Sequence, residues 1–239
     1  MRPAATDLVA PVTRGACALL APVNRRAAAA AGLAQTLPHA AGVALTFDDG
    51  PHPEGTPAIL ELLARHAARA TFFVVGEQVR RRPQLIARAH DEGHRIALHG
   101  DRHELQLRRT PSALRNDLRR GTAAIEDAIG APATWHRPPY GIYAPRGLQA
   151  VRQAGLEPLL WSRWGKDWRR LTTPARIAAR ATRALLPGDV ILLHDADFYN
   201  ARGSHRRTAV ALEIILTELA ARKLDTVLPD DVVASAHTG

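Results

Sequence analysis

From residue 42 onward, short apolar runs alternate with longer stretches of helical period. The runs at residues 43–47, 70–75, 95–98, 134–136, 157–161 and 190–193 predict six strands, and residues 225–227 predict a short final one. The run at 190–193 is apolar without alternation, the pattern of a strand buried on both faces. Helical spacing of apolar positions covers residues 57–66, 77–82, 83–92, 112–129, 145–154, 173–185 and 206–222. Gly93, Gly155 and Gly188 act as stops, and Thr110-Pro111 as a start. Residues 48–56 carry Gly50, Pro51, Pro53 and Gly55 and read as a loop. Strand–helix alternation of this kind predicts βα units and a parallel sheet, and 239 residues suit a single α/β barrel.

The polar residues of chemical interest fall just after these strands. Asp48 and Asp49 follow the first, His99 the third, Arg137 the fourth and Asp167 the fifth, and His194 ends the sixth. In a parallel α/β barrel the C-terminal ends of all strands open on one face, so residues distant in sequence converge there. His99 and His103 stand at i and i+4, a spacing that lets two imidazoles share one ion, although a chain with 11 histidines reaches that spacing easily by chance. Asp48-Asp49-Gly50-Pro51 places adjacent carboxylates at a sharp turn; one can bind a metal while the other stays free as a base, or both can serve as loop caps. One aspartate and two histidines make a three-ligand site with open positions, the signature of a catalytic rather than a structural ion. In Arg137-Pro138-Pro139-Tyr140-Gly141 the prolines fix the backbone, so the Tyr140 N–H can be aimed at a developing oxyanion, or the segment can be simply a proline-rich turn. His194, delivered by an apolar strand to the barrel mouth, is structural if alone and a candidate general acid beside a metal.

Composition narrows the reading without redirecting it. Apolar residues make up 46% of the chain, which excludes disorder as the default, and Cys17, the only cysteine, excludes an intramolecular disulfide and a cysteine-rich metal site. The net charge of +9 is almost all arginine, since Lys166 and Lys223 are the only lysines. The arginines are scattered along helices rather than interleaved with aromatics, so nucleic acid is not the expected partner, and the Arg80-Arg81-Arg82 run is expected on a solvated helix face. No run approaches the roughly 20 apolar residues of a membrane span. Residues 8–34 are Ala-rich but broken by Pro11, Arg14, Pro22, Arg25 and Arg26, so they lack the apolar run of a standard signal peptide. Residues 1–41 are therefore expected to be an N-terminal extension or packed helix, ahead of a catalytic domain over 42–235. A cytoplasmic location is favoured, with Arg25-Arg26 leaving export through a twin-arginine signal as the alternative.

The ordered set TFDDGP, HGDRH, RPPYG, KDW and LLHD resembles the NodB-homology polysaccharide deacetylases, carbohydrate esterase family four, over roughly residues 42–228. The resemblance implies a distorted (β/α)₇-type barrel and a hydrolase acting on linear amides, with an N-acetylated carbohydrate as substrate. Residue by residue, it implies Asp48 as base and Asp49, His99 and His103 as ligands of a divalent ion, zinc first, with cobalt or another ion as an alternative. It implies Arg137 orienting the base, the Tyr140 amide facing the oxyanion, Asp167 tuning the general acid His194, and Trp168 and Leu192 walling the pocket. Two departures stand out. Gly100 occupies a position where the family usually has Ser or Thr, which implies loss of a loop hydrogen bond and leaves Asp101 beside the ligands. Trp164 stands where an acidic residue is usual, forming with Trp161 and Trp168 an aromatic cluster that is either a sugar platform or core. A deacylase of a small, nucleotide-linked or lipid-linked amino sugar is the alternative substrate reading, and a basic binding module with a degenerate site is the non-enzyme one. Nothing in the sequence fixes the oligomeric state.

Overall fold

The architecture follows from three almost wholly buried strands. In the computed structural model, which describes Ala21 and residues 24–231, β1 (Ala44–Asp48) and β2 (Ala70–Val74) are buried at every position, and β7 (Val190–His194) at all but its last. They sit together at the centre of a seven-stranded sheet of order β5-β4-β3-β2-β1-β7-β6, completed by β3 (Arg95–Leu98), β4 (Trp135–His136), β5 (Glu157–Pro158) and β6 (Arg163–Trp164). Every pairing is parallel, and the sheet curls into the distorted barrel expected from the sequence. Cys17 and part of the Ala-rich N-terminal stretch lie outside the described residues.

Helices α1 (Arg25–Ala30), α2 (Gly55–Arg65), α3 (Gly76–Arg81), α4 (Pro83–Asp91), α5 (Pro111–Ile129), α6 (Pro145–Gln153), α7 (Pro174–Thr182) and α8 (Ser204–Ala221) surround the sheet. Their ends carry the punctuation the sequence shows. Thr110 accepts a hydrogen bond from the Ala113 amide ahead of Pro111, and Thr173 accepts one from Arg176 ahead of Pro174. Gly130 closes α5 in the left-handed conformation at φ 67°. Helix apolar faces cover the sheet, and Phe47 and Phe72 stack at 5.3 Å within the core. Full burial of such side chains contributes roughly 1.5–3 kcal/mol each.

Two strand predictions are corrected. The strand expected over 157–161 ends at Pro158, because the carbonyls of Leu159 and Leu160 accept hydrogen bonds from Arg137 at 3.0 and 2.8 Å. A separate strand, β6, follows and pairs with β7. The strand expected over 225–227 reduces to a bridge, in which Val43 N donates to Asp225 O and Val227 N to Val43 O. On the N-terminal side, Ala34 O accepts from Leu160 N, and Leu37 N donates to Gly188 O, so this segment lies against the sheet where β5 and β7 leave backbone groups available.

Candidate active site

Strand register sets the first distances. Asp48 is paired with His194 across β1 and β7, and His99 directly follows β3. Asp49 leaves the strand with φ 83°, a conformation aspartate tolerates better than most residues. Asp48, Asp49 and His99 are each at most 3% exposed.

Asp49 Oδ1 lies 3.5 Å from His99 Nε2 and 3.2 Å from His103 Nε2. It is buried and receives no hydrogen bond of acceptable geometry, while Asp49 Oδ2 accepts one from Asn200 Nδ2 at 2.6 Å. His99 Nδ1 meets the Arg137 carbonyl at 2.8 Å. A carbonyl only accepts, so Nδ1 carries the proton and Nε2 keeps its lone pair toward Asp49. Burial drives His99 down to about 3, against the pull of Asp49, so the ring is neutral. Burial pushes Asp49 up, but the imidazoles of His103, His194 and His99 outweigh it and hold the carboxyl at about 2. A partnerless buried carboxylate oxygen facing imidazole nitrogens is a donor set that fits a divalent cation with N and O preference.

Arg137, wholly buried, braces the neighbouring aspartate. Its Nη1 donates to Asp48 Oδ1 and Thr46 Oγ1, both at 2.8 Å, and its guanidinium lies 4.0 Å over the Phe73 ring. Burial raises Asp48 to about 6, with Arg137 and then His194 opposing. Asp48 Oδ2 remains on the side of the cavity, 3.9 Å from His99 Nε2. Opposite, Asp167 is fully buried; its Oδ1 meets His194 Nδ1 at 2.9 Å, and its Oδ2 accepts from His194 N at 2.7 Å and Thr208 Oγ1 at 2.8 Å. Burial works against a charged His194, but Asp167, Asp49 and Asp48 prevail and lift it to about 10. Its Nε2 is thereby a proton donor at neutral pH.

These groups share one cavity of about 270 Å³, walled also by Tyr140, Trp164, Trp168 and Leu192. All eleven residues singled out in the sequence converge here: nine line the cavity wall with Asp48, Asp49, His99, His103 and His194 among them, and Arg137 and Asp167 stand behind it. Tyr140 takes φ 63° in the turn after Pro139, and its ring meets His103 edge-on at 4.7 Å. The tryptophans divide: Trp161 is 6% exposed and packs beside Arg137, whereas Trp164 and Trp168 are half-buried, with Trp168 edge-on to His194 at 5.5 Å.

Several contributors carry no local signal. Asn200 on Asp49, Thr46 on Arg137 and Thr208 on Asp167 act through hydrogen bonds to partners far away in the chain. Tyr199 stacks on His103 at 4.1 Å, and its hydroxyl donates to Glu77 at 2.9 Å. The lost hydrogen bond expected at Gly100 is replaced: the Asp117 carboxylate accepts from Asp101 N at 3.0 Å and Arg102 N at 3.3 Å, and Arg109 holds it at 2.5 Å. Gly100 itself has φ 92°, so glycine is the residue its backbone demands. Asp101 is buried and ion-paired to Arg80 at 2.6 Å and Arg120 at 3.0 Å, so its charge is spent on the helices and not on the ligands. The arginine run is accordingly not a wholly solvated face; Arg82 also bonds Pro51 O and Gln78 Oε1.

Residues 38–159 match the family described as polysaccharide deacetylase. A chitooligosaccharide deacetylase of Bradyrhizobium sp. is 39% identical over 154 residues, 64% of this chain and 70% of that protein. A peptidoglycan-N-acetylglucosamine deacetylase of Bacillus cereus is 36% identical over 180 residues, 74% of this chain and 81% of that protein. Among solved structures, a peptidoglycan N-acetylglucosamine deacetylase in complex with a substituted N-oxidanyl-benzamide superposes with a TM-score of 0.75 at 31% identity, covering 83% of this chain and 91% of its own. A family 4 carbohydrate esterase from Streptomyces lividans in complex with acetate gives 0.71 at 28% identity, covering 80% and 95%.

Proposed function

Because this chain belongs to the polysaccharide deacetylase family, we propose that it hydrolyses the N-acetyl group of amino sugars in an oligo- or polysaccharide, using a divalent cation held by Asp49, His99 and His103. The observation that carries this reading is Asp49 Oδ1, buried without a hydrogen-bond donor and facing two Nε2 atoms. Two imidazoles and one carboxylate suit zinc, with cobalt an effective substitute. When bound, the ion supplies Lewis acidity toward the amide carbonyl and toward water.

The chain's own groups perform the proton transfers. Arg137 fixes Asp48 through Oδ1, leaving Oδ2 to accept a proton from the attacking water. The Tyr140 backbone N–H, presented by the proline-rich turn, donates to the oxyanion as the carbonyl becomes tetrahedral. His194, oriented by Asp167 through Nδ1, delivers its Nε2 proton to the amine nitrogen as the C–N bond breaks. Acetate and the free amino sugar are the products. Trp168 and Leu192 wall the pocket that receives the acetyl group, and Trp164 extends that wall.

The test is deacetylation of acetylated chito-oligosaccharides with zinc, with cobalt and after chelation, by the natural protein and Asp48→Asn. The variant is expected to lose turnover by on the order of a thousandfold while keeping its ion, the scale of removing a positioned general base. Near-normal turnover in Asp48→Asn overturns the assignment of the base.

A further inference from the structure

Behind the Trp164 wall lies a second concavity, a groove of about 580 Å³ between β6 and α7. Its cationic lining is Arg163 from the edge strand, Lys166 from the following turn, and Arg176, Arg180 and Arg183 from α7 and its C-terminal end. Arg163 is neutralised by Asp189 at 2.9 Å, and that carboxylate is also bound by the Ser162 hydroxyl and the Leu186 amide. The other four cations, Lys166, Arg176, Arg180 and Arg183, have no ion pair among the described residues, and they stand together along one concave surface. Arg176 and Arg180 stand one helical turn apart on the same face of α7. Arg180 is steadied by the Thr172 hydroxyl at 3.1 Å, and Lys166 Nζ lies 4.5 Å from the Trp164 ring centre.

The groove adjoins the catalytic cavity across a shared side chain. Trp164 lines both. Ring contacts run from His194 to Trp168 at 5.5 Å, from Trp168 to Trp164 at 5.3 Å, and from Trp164 to Lys166. A saccharide laid across Trp168 and Trp164, with its acetamide at His194, would carry its next substituents toward four unpaired cations. A concave surface lined by one sign of charge concentrates the opposite sign, and guanidinium groups grip carboxylate and phosphate oxygens.

We infer that this groove is a subsite for an anionic substituent, a phosphate or a carboxylate, carried on the same saccharide as the acetamide that is hydrolysed. The inference rests on the deacetylase reading for the position of the reacting end and extends it to the class of substrate. Arg176 and Arg180 supply the planar contacts, and Lys166 the charge nearest the aromatic wall.

The experiment compares three acetylated substrates of matched length: a neutral chito-oligosaccharide, one bearing a lactyl-type carboxylate, and one bearing a phosphate ester. For the natural protein, KM is expected to be lower for at least one anionic substrate, with the advantage shrinking as salt is raised. Arg176→Glu/Arg180→Glu is expected to raise KM for that substrate by about tenfold or more while leaving kcat/KM on the neutral one within about twofold. The carboxylate and phosphate arms identify the source of the charge. Indifference of the natural protein to substrate charge overturns the inference, as does equal loss on neutral and anionic substrates. Calorimetric binding of the anionic saccharides to Asp48→Asn, with and without the groove substitutions, reads the subsite without turnover. Absence of deacetylation on all three substrates therefore strikes the catalytic reading, while charge-dependent binding still reports on the groove.

Discussion

Asp49 with His99 and His103, and Asp197 with His52 and His205, are alike in composition: each set brings one carboxylate oxygen and two imidazole nitrogens within 4.8 Å of one another. They differ in what holds the rings from behind. His99 Nδ1 faces a carbonyl and so carries the proton, leaving Nε2 as a lone pair. His52 Nδ1 instead accepts from the amides of Glu54 at 3.1 Å and Gly55 at 2.9 Å. An Nδ1 that accepts from two amides bears no hydrogen, so the ring's proton sits on Nε2, 3.2 Å from Asp197 Oδ1; burial and the adjacent His205 ring also push His52 below the usual imidazole range. A ring held this way has a hydrogen to give and no lone pair to lend. The second set joins the loop after β1 to the first turn of α8 and to the segment before it, the segment that carries Asn200 and Tyr199 to the first set. Proximity of donor atoms is thus insufficient to define an ion site; the partner of the far nitrogen decides.

That contrast can be broken in four ways. Removing a ligand has the largest expected effect: His99→Ala should bind its ion and turn over substrate at least about a hundredfold more weakly, exceeding the loss typical of outer partners, and elemental analysis with steady-state rates would expose a failure. Asn200→Ala removes the only donor to Asp49 Oδ2 among the described residues and should weaken ion affinity by about 10- to 100-fold, read by chelator competition. Unchanged affinity would mean that the linking segment does not support the ligand. Asp195 lies between the sets, its Oδ2 accepting from Thr56 Oγ1 at 2.5 Å while that hydroxyl accepts from His52 N at 2.7 Å. Burial raises Asp195 to about 7, so the folded chain keeps a proton that the unfolded chain sheds near the ordinary carboxylate value. Its contribution is complete at low pH and is lost as pH rises toward and through 7. Asp195→Asn should therefore gain thermal stability relative to the natural protein between pH 4.5 and 8, by on the order of a few degrees; a difference in Tm that does not vary with pH refutes it. The smallest effect is on ion content in His205→Gln, which should stay at one per chain; a drop would place an ion in the second set.

The strand ends were legible because β1, β2 and β7 are buried on both faces up to their ends and carry no charged residue before them, so charged residues at those ends stand out. Asp48, Asp49 and His194 declare themselves in that way. The break after Pro158 was not legible, since apolar Leu159 and Leu160 continue the run while their carbonyls are diverted to Arg137. Thr208 stayed hidden for a related reason: it works through one hydrogen bond to a distant segment, which leaves no spacing to recognise. His52 and His205, 153 positions apart, were equally silent.

Gly100 and Asp117 have a consequence for how this loop can change over evolutionary time. A side chain at Gly100 would meet both Asp117 Oδ2 and Arg102 O at 3.1 Å, on a backbone that resists one. Replacing the carboxylate first would strip two amides of their acceptor. Neither substitution is neutral alone, so a lineage could exchange this arrangement for a hydroxyl-bearing loop only through paired changes, and the two positions should be inherited together.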